Sequence, residues 1–198
     1  MIFLAKAEKW VRHTQSLGQD CPASNMKKTF SILLGAALAG VVSTPQAANI
    51  GSKAPQLQIE HWVKGKPVDL AKADDKKIHI IEFWATWCGP CRDSIPHLTK
   101  LQEKYKGKGV TVVGITDEPK ATVERFVRRQ GKQMEYTVAI EKGDTMSQAY
   151  MRAFGQTGIP ATFVVDQKDR IVWVGHPKSG LDDVIDRLVK GTFDLEEE

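Results

Sequence analysis

The sequence predicts an α/β fold in which a central mixed β-sheet is flanked by helices. Residues 78–85 and 110–115 are largely apolar runs, which is typical of strands that are buried on both faces of a sheet. Segments with apolar residues at helical spacing alternate with these and with further short strands. Helices between buried strands favour a sheet with a parallel centre and helices on both faces. Two strands joined by a polar turn near the end add antiparallel neighbours.

The first predicted element is an N-terminal β-hairpin over residues 57–70. The segment LQIEHWVKGKPVDL has two short strand-like runs on either side of Lys64-Gly65-Lys66. The buried strand of residues 78–85 follows, and then a helix that ends near Gly107 and Gly109. The apolar positions of this helix are Ile95, Leu98, Leu101 and Tyr105.

The remaining elements are predicted from the same two signals, short apolar runs for strands and apolar residues at helical spacing for helices. Their order is strand, helix, strand, helix, strand, strand, helix. They are expected at residues 110–115, 119–130, 136–140, 145–154, 161–165, 170–174 and 181–190. Pro119 suits a first helical turn, where its missing N–H would have no partner in any case. Gly131, Gly155 and Gly191 stand where the three helices are expected to end, and an acidic tail follows.

The N-terminal 48 residues are predicted to precede the folded domain. From Met26 the chain has two lysines, an uncharged, largely apolar stretch at residues 30–42 and small residues at Ala47-Ala48, which is the pattern of a secretory signal peptide over residues 26–48. The stretch is shorter than the roughly 18–20 residues that span a bilayer, so an uncleaved anchor is the less favoured alternative. Residues 1–25 are interpreted as a non-native upstream extension. One domain at residues 49–198, exported to the periplasm, is therefore expected.

The charge of the chain is close to balance. The net charge is +4, and residues 1–48 contain five of the Lys and Arg residues and two of the Asp and Glu residues, so the expected domain carries +1. Such a domain has no field that would attract a polyanion, and nucleic acid is not expected as a partner. One of the three cysteines, Cys21, also lies before the domain.

The other two cysteines, Cys88 and Cys91, stand in the segment FWATWCGPC, between the predicted buried strand and the following helix. A thiol reacts as its thiolate, and a helix N-terminus favours the thiolate. Cys88 is therefore predicted to attack a substrate disulfide, and Cys91 to resolve the mixed disulfide. Gly89 allows a tight turn, and Pro90 has a backbone angle suited to an early helical position.

The residues also allow other interpretations of the cysteine pair. A disulfide across so short a loop stabilises a fold little, because that effect grows with loop length. Zinc usually takes four ligands, and there is no second C-x-x-C, whereas Cu(I) can be held by two thiolates, so copper handling is an alternative. A thiol peroxidase would have a lone peroxidatic cysteine with an arginine, and a redox-inert adaptor would not need both cysteines.

The segment FWATWCGPC resembles the active site of thioredoxins, and four further features match in order and spacing. They are a buried acid before the pair, a helix-kinking proline, a cis-proline loop and a glycine turn along the substrate groove, at Glu82, Pro96, residues 158–162 and residues 174–175. The leader, the hairpin and the segment GITDEP look like the exported TlpA/ResA-type branch of thioredoxin-like proteins. The resemblance covers about residues 53–192 and implies a thioredoxin-like fold.

The resemblance also implies roles for individual residues. Glu82 would accept a proton from Cys91, since burial raises the pKa of a carboxyl group; the alternative is a strand carboxylate paired with a lysine. Pro160 would be cis, and Ile159 would offer its backbone to an extended substrate. The substrate-binding residues would be Trp87, Gly89, Pro90, Ile159 and Pro160.

Several residues near the motif carry weaker expectations. Trp84 would pack beneath the pair, with a plain core role as the alternative, and His176 would border the groove or be an ordinary loop residue. The other histidines are interpreted as structural: His61, His79 and His97. Ser94 stands where some exported relatives have an acid, which is a departure from their pattern.

The predicted function is an exported thiol:disulfide oxidoreductase that reduces protein disulfides. Its Gly-Pro dipeptide between the cysteines is that of reducing thioredoxins. The alternatives are a periplasmic thiol oxidase or isomerase, and a copper-site thiol reductase or metallochaperone. Because no dinucleotide or flavin motif is found, we expect no cofactor, with the electrons carried by the cysteine pair. We expect no metal either, because two cysteines supply too few ligands for zinc. The expected partners are disulfide-containing clients and a membrane thiol donor, and the protein is expected to be a monomer.

Overall fold

A six-stranded mixed β-sheet crosses the centre of the protein. The structure, a computed structural model, describes residues 48–70 and 77–197. The strands are β1 (Ile59–Lys64), β2 (Ile78–Phe83), β3 (Val110–Thr116), β4 (Thr137–Glu141), β5 (Ala161–Val165) and β6 (Ile171–Gly175). They lie in the order β1-β4-β3-β2-β5-β6. The predicted upstream extension and, except for Ala48, the predicted signal peptide lie outside the described residues.

Strand β2 is the inner strand that leads to the cysteine pair. Strand β2 pairs with β3 in parallel on one edge and with β5 in antiparallel on the other. Strand β3 in turn pairs with β4 in parallel. All six residues of β2 are buried, because both edges are paired and both faces are covered. The mixed sheet with a parallel centre is as predicted.

Three α-helices pack on one face of the sheet: α1 (Gly89–Tyr105), α2 (Lys120–Gln130) and α3 (Leu181–Lys190). Their buried side chains form one core with Ile78 and Ile80 of β2. Ile81 and Phe83 alternate with these residues along the strand and lie in a second core, on the other face, with the π-helical segment Ser147–Arg152. Helices therefore flank both faces, but unequally.

Within residues 48–70 and 77–197, every helix lacks the length or the apolar character that a membrane crossing requires.

The predicted N-terminal hairpin is wrong. Its first half is β1, but residues 66–69 have no regular structure, and β1 pairs with β4 instead. Gly65 turns the chain at φ +81°, so close to β4 that a Cβ atom would lie 2.4 Å from the hydroxyl oxygen of Thr137. Pro67 cannot donate a backbone hydrogen bond to a neighbouring strand. Leu70 is buried in the second core, which draws the segment away from β1.

The helix predicted over residues 145–154 forms as the shorter π-helical segment Ser147–Arg152. Glu141, at the end of β4, accepts hydrogen bonds from the N–H groups of Met146 (2.7 Å) and Ser147 (3.0 Å) and from the Ser147 hydroxyl (2.6 Å). These bonds satisfy backbone donors where the segment begins. A segment of ten residues is too short for its apolar spacing to distinguish an α-helix from a π-helix. The position of the helix was therefore predictable and its type was not.

Close packing next to the cysteine pair gives a stability prediction. A Cβ atom at Gly114 of β3 would lie 3.0 Å from Nε1 of Trp84 and 3.1 Å from Cε2 of Tyr136. Because both rings are buried, we expect Gly114→Ala to lower the free energy of unfolding by about 1–3 kcal/mol, measured by chemical denaturation. Gly107→Ala is the control, since no atom lies within 4 Å of its Cβ position. Equal stability of the two variants would contradict this packing.

Candidate active site

Cys88 and Cys91 lie where β2 gives way to α1, and they are joined by a disulfide bond. Cys88 is the N-cap residue of α1, with an extended backbone, and Cys91 lies in the first turn. The backbone N–H of Cys91 donates to Sγ of Cys88 at 3.2 Å. The first turn of α1 contains no acidic residue, and Pro90 occupies an early position, as predicted. In the reduced protein, this donor and the helix dipole would stabilise a Cys88 thiolate.

The loop before β5 faces the cysteine pair. Its Ile159–Pro160 peptide bond is cis, as the resemblance implied. The carbonyl oxygen of Ile159 lies 3.8 Å from Sγ of Cys88. Both cysteines are buried in the disulfide form, at 4% and 2% exposure, whereas Trp87 beside them is 72% exposed. The sequence-predicted residues of the pair and of this loop are therefore brought together.

A cavity of about 730 Å³ opens next to the pair on the side of the π-helical segment. Trp87 and Ile159, which flank the pair, line this cavity together with Met151 and Arg152. The lining combines apolar rings and methyl groups with polar side chains. A polypeptide segment bound across the pair could extend into this space.

Glu82 lies on β2 under the cysteine pair and is only 1% exposed. Burial raises the pKa of its carboxyl group to about 8, and a hydrogen bond from the Thr162 hydroxyl opposes the shift in part. Within the described residues, Oε1 of Glu82 has no hydrogen-bond partner and no lysine pairs with the carboxyl group. The arrangement favours the predicted buried acid over the alternative of a lysine-paired carboxylate.

The two tryptophans of the motif occupy different environments. Trp84 is 3% exposed, and its ring packs against Phe126 of α2 with the ring centres 5.3 Å apart. It shares a buried core with Cys88 and Cys91, which fits both the place expected beneath the pair and the alternative of a plain core role. Trp87 flanks the pair on the surface.

The remaining residues named from the sequence have local roles. Ser94 is buried, and its hydroxyl donates to the carbonyl oxygen of Pro90 at 3.0 Å. His97 of α1 lies 3.0 Å from Asp182 of α3. His79 is buried in β2, and burial lowers its pKa to about 4. The Nδ1 atom of His176 accepts a hydrogen bond from the backbone N–H of Lys178 at 3.1 Å.

One contact of the active-site turn was not predicted. The carboxyl group of Glu118, in the turn after β3, accepts hydrogen bonds from both the N–H (2.6 Å) and the hydroxyl (2.7 Å) of Thr86. The segment GITDEP, residues 114–119, contributes to the family resemblance but gives no sign of this contact. A contact between residues 32 apart in the chain becomes visible only when β2 and β3 are known to be neighbours.

Within residues 48–70 and 77–197, no group of three or more His, Cys, Asp or Glu side chains is placed to hold a metal ion.

Comparison with known proteins agrees with this geometry. The Redoxin family profile matches residues 49–186. The thiol-disulfide oxidoreductase ResA of Bacillus thuringiensis (strain Al Hakam) is 31% identical over 134 residues, which are 67% of this chain and 73% of that protein. ResA of Halalkalibacterium halodurans is 32% identical over 128 residues, 64% of this chain and 68% of its own length.

A solved structure is similar in both sequence and fold. The crystal structure of a thiol:disulfide interchange protein of the thioredoxin family from Chlorobium tepidum TLS is 31% identical, with a TM-score of 0.58, and the match covers 74% of this chain and 99% of that one. The fold and the cysteine pair thus define a thioredoxin-like thiol:disulfide oxidoreductase. The chain belongs to the Redoxin family.

Proposed function

We propose that this oxidoreductase is exported and reduces disulfide bonds of client proteins by dithiol–disulfide exchange at Cys88 and Cys91. The observation that carries the proposal is the placement of the pair at the N-terminus of α1, against the Ile159–Pro160 loop and above the buried acid Glu82. This arrangement supplies a stabilised thiolate, a backbone edge for a client and a proton acceptor.

The reaction begins with the reduced pair. The Cys88 thiolate attacks one sulfur of a client disulfide, forming a mixed disulfide and releasing the other client sulfur as a thiolate. Cys91 loses its proton and attacks Sγ of Cys88, which releases the second client sulfur. The client gains two electrons and, with two protons, becomes a dithiol, and the protein is left with the Cys88–Cys91 disulfide.

Glu82 is the proposed proton acceptor for Cys91. A carboxyl group with a pKa of about 8 has an affinity for protons close to that of an ordinary thiol, so transfer between them is nearly balanced at neutral pH. The acceptor is the ionised form of Glu82, a minority at neutral pH because the pKa is about 8, and its unpartnered Oε1 can take the proton. A fully exposed carboxylate would be too weak a base for this step.

Clients are proposed to bind as extended segments against the exposed face of the pair. Ile159 would pair with the client backbone, Pro160 would hold the loop against the sulfurs, and Gly89 and Pro90 would leave the Cys88 side uncovered. Trp87 would pack against client side chains at the entrance of the cavity.

The proposed location is the periplasm. The leader of residues 26–48 supports export. In an oxidising compartment the reduced pair has to be regenerated, and we propose a membrane thiol carrier as the electron donor. No further cofactor is required, because the two electrons are carried by the cysteine pair itself.

The reduction potential tests the direction of the reaction. The full chain is equilibrated in glutathione and dithiothreitol buffers, and mass spectrometry of alkylated peptides gives the reduced fraction of the pair. We expect a midpoint below about −230 mV, since thioredoxin lies near −270 mV. A midpoint between about −120 and −180 mV would make the protein an oxidase or isomerase and overturn the reductase assignment.

A further inference from the structure

We propose that Glu118 is a positioning residue for the nucleophile. It holds the turn of residues 84–87 so that Sγ of Cys88 stays close to the backbone N–H of Cys91 in the first turn of α1. The proposal deepens the proposed function, because it rests on Cys88 being the attacking residue. It assigns to the turn after β3 a part in the reactivity of a cysteine on a different segment.

Two hydrogen bonds form the clamp between these turns. The N–H of Thr86 donates to Oε2 of Glu118 at 2.6 Å, and the Thr86 hydroxyl donates to Oε1 at 2.7 Å. The N–H bond is short and the hydroxyl bond has an ordinary length, and both carboxyl oxygens of Glu118 are engaged by one residue. Such two-point contact fixes orientation as well as distance.

Glu118 is itself held in place. Its backbone N–H donates to the Thr116 hydroxyl at 3.4 Å, and Thr116, at the end of β3, is 3% exposed. The Thr116 hydroxyl also lies 3.4 Å from Oε2. Glu118 is therefore anchored to the end of a buried central strand. This is the same edge of the sheet at which β2 ends and the cysteine pair follows.

The turn that carries Cys88 has few other backbone restraints. The N–H of Trp84 donates to the carbonyl oxygen of Ile115 at 3.1 Å, and the N–H of Cys88 donates to that of Ala85 at 3.2 Å. Without the clamp, the partly buried N–H of Thr86 would lose its partner, and the residues between Trp84 and Cys88 would be free to adjust. Sγ of Cys88 would then leave the Cys91 N–H, which lies 3.2 Å away.

The charge of Glu118 and its hydrogen bonds have opposite consequences for Cys88. A nearby negative charge disfavours a thiolate, so removing the charge alone would make Cys88 more reactive. Losing the position at the helix N-terminus would make Cys88 less reactive. The sign of the change therefore separates a positioning role from an electrostatic one.

The test uses the full chain with Cys91→Ala, in which Cys88 cannot be reoxidised by its neighbour. The probe is iodoacetamide at pH 7, and mass spectrometry of the peptide that contains Cys88 separates it from Cys21. Glu118→Ala is compared with Glu118→Gln, whose amide oxygen can accept from the Thr86 N–H and whose NH₂ can donate to the Thr86 hydroxyl. Thr86→Val removes only the hydroxyl bond, and Thr86→Ser keeps it.

We expect Glu118→Ala to slow alkylation of Cys88 by about tenfold, the loss that accompanies a rise of one unit in the thiol pKa. Thr86→Ser should react within about twofold of the parent, and Glu118→Gln, which loses the charge but keeps the hydrogen bonds, as fast as the parent or faster. The rate of Thr86→Val should lie between those of Glu118→Ala and the parent. Faster alkylation in both Glu118 variants would assign a purely electrostatic role and overturn the proposal. Unchanged rates with only a lower melting temperature would do the same, leaving Glu118 a structural residue.

The same experiment distinguishes a failure of the proposed function from a failure of the positioning role of Glu118. If Cys88 of the parent reacts no faster than an ordinary free thiol, the nucleophile of the proposed function is wrong. If Cys88 of the parent is fast and stays fast in Glu118→Ala, only the positioning role fails.

Discussion

Cys88→Ser is expected to reduce disulfide exchange to the uncatalysed background, a loss of about three orders of magnitude or more. The serine hydroxyl is not ionised at neutral pH and cannot form the mixed disulfide, so the first chemical step is lost. The measurement is the rate at which the full chain reduces the disulfides of a model protein such as insulin with dithiothreitol as the electron source.

Two matched serine variants make this result specific. Cys91→Ser keeps the attacking thiolate but removes the resolving thiol, so we expect a mixed disulfide with the client to accumulate as a covalent adduct on a non-reducing gel. Cys21→Ser changes the cysteine that lies outside the described residues and should retain full activity. Substantial turnover by Cys88→Ser, or an adduct in Cys88→Ser and none in Cys91→Ser, would exchange or abolish the assigned roles.

The central part of the fold was predictable because its signals are local. The apolar run of β2 and the helical spacing of Ile95, Leu98 and Leu101 both arise from burial against immediate neighbours, and both were found as expected. The position of Cys88 at a helix N-terminus followed from the same boundary. Burial of Glu82 was indicated by its place inside an apolar run.

The parts that were missed depend on which strands become neighbours. The segment after β1 looked like the second half of a hairpin, yet β1 pairs with β4, more than 70 residues further on. The clamp between Glu118 and Thr86 likewise needs the parallel pairing of β2 with β3. Polar residues just after strand ends, such as Glu118 and Thr86, give no sign of their partners until the strand order is known.

Glu82→Gln is expected to change how stability depends on pH. The carboxyl group has a pKa of about 8 in the folded protein, against an ordinary value of 4.5 that applies to the unfolded chain. Below pH 4.5 both states hold the proton, and the full stability is present. As the pH rises from 4.5 to 8 the unfolded chain releases the proton and the folded protein keeps it, so stability falls by an amount on the order of 5 kcal/mol.

The glutamine variant cannot titrate at this position, so its stability should not show this fall. Its NH₂ group would stand where Oε1 has no hydrogen-bond partner, and burying these unpaired donors costs about 1–3 kcal/mol at every pH. The difference between the two proteins should therefore start in favour of the wild type at pH 4.5 and reverse by pH 8. His79, whose pKa is lowered to about 4, weakens both proteins equally as the pH falls below 6.5, and its effect cancels in the difference.

Chemical denaturation of both proteins with the disulfide intact, at several values between pH 4.5 and 8, measures this difference. A reversal that grows with pH would establish that a protonated carboxyl group is buried under the cysteine pair at neutral pH. Parallel curves would contradict the raised pKa, and Glu82 would then be an ordinary carboxylate, too weak a base to take the proton of the Cys91 thiol. The same variant should prolong the mixed disulfide with a client, since Cys91 would have lost its proton acceptor while Cys88 kept its helix N-terminus.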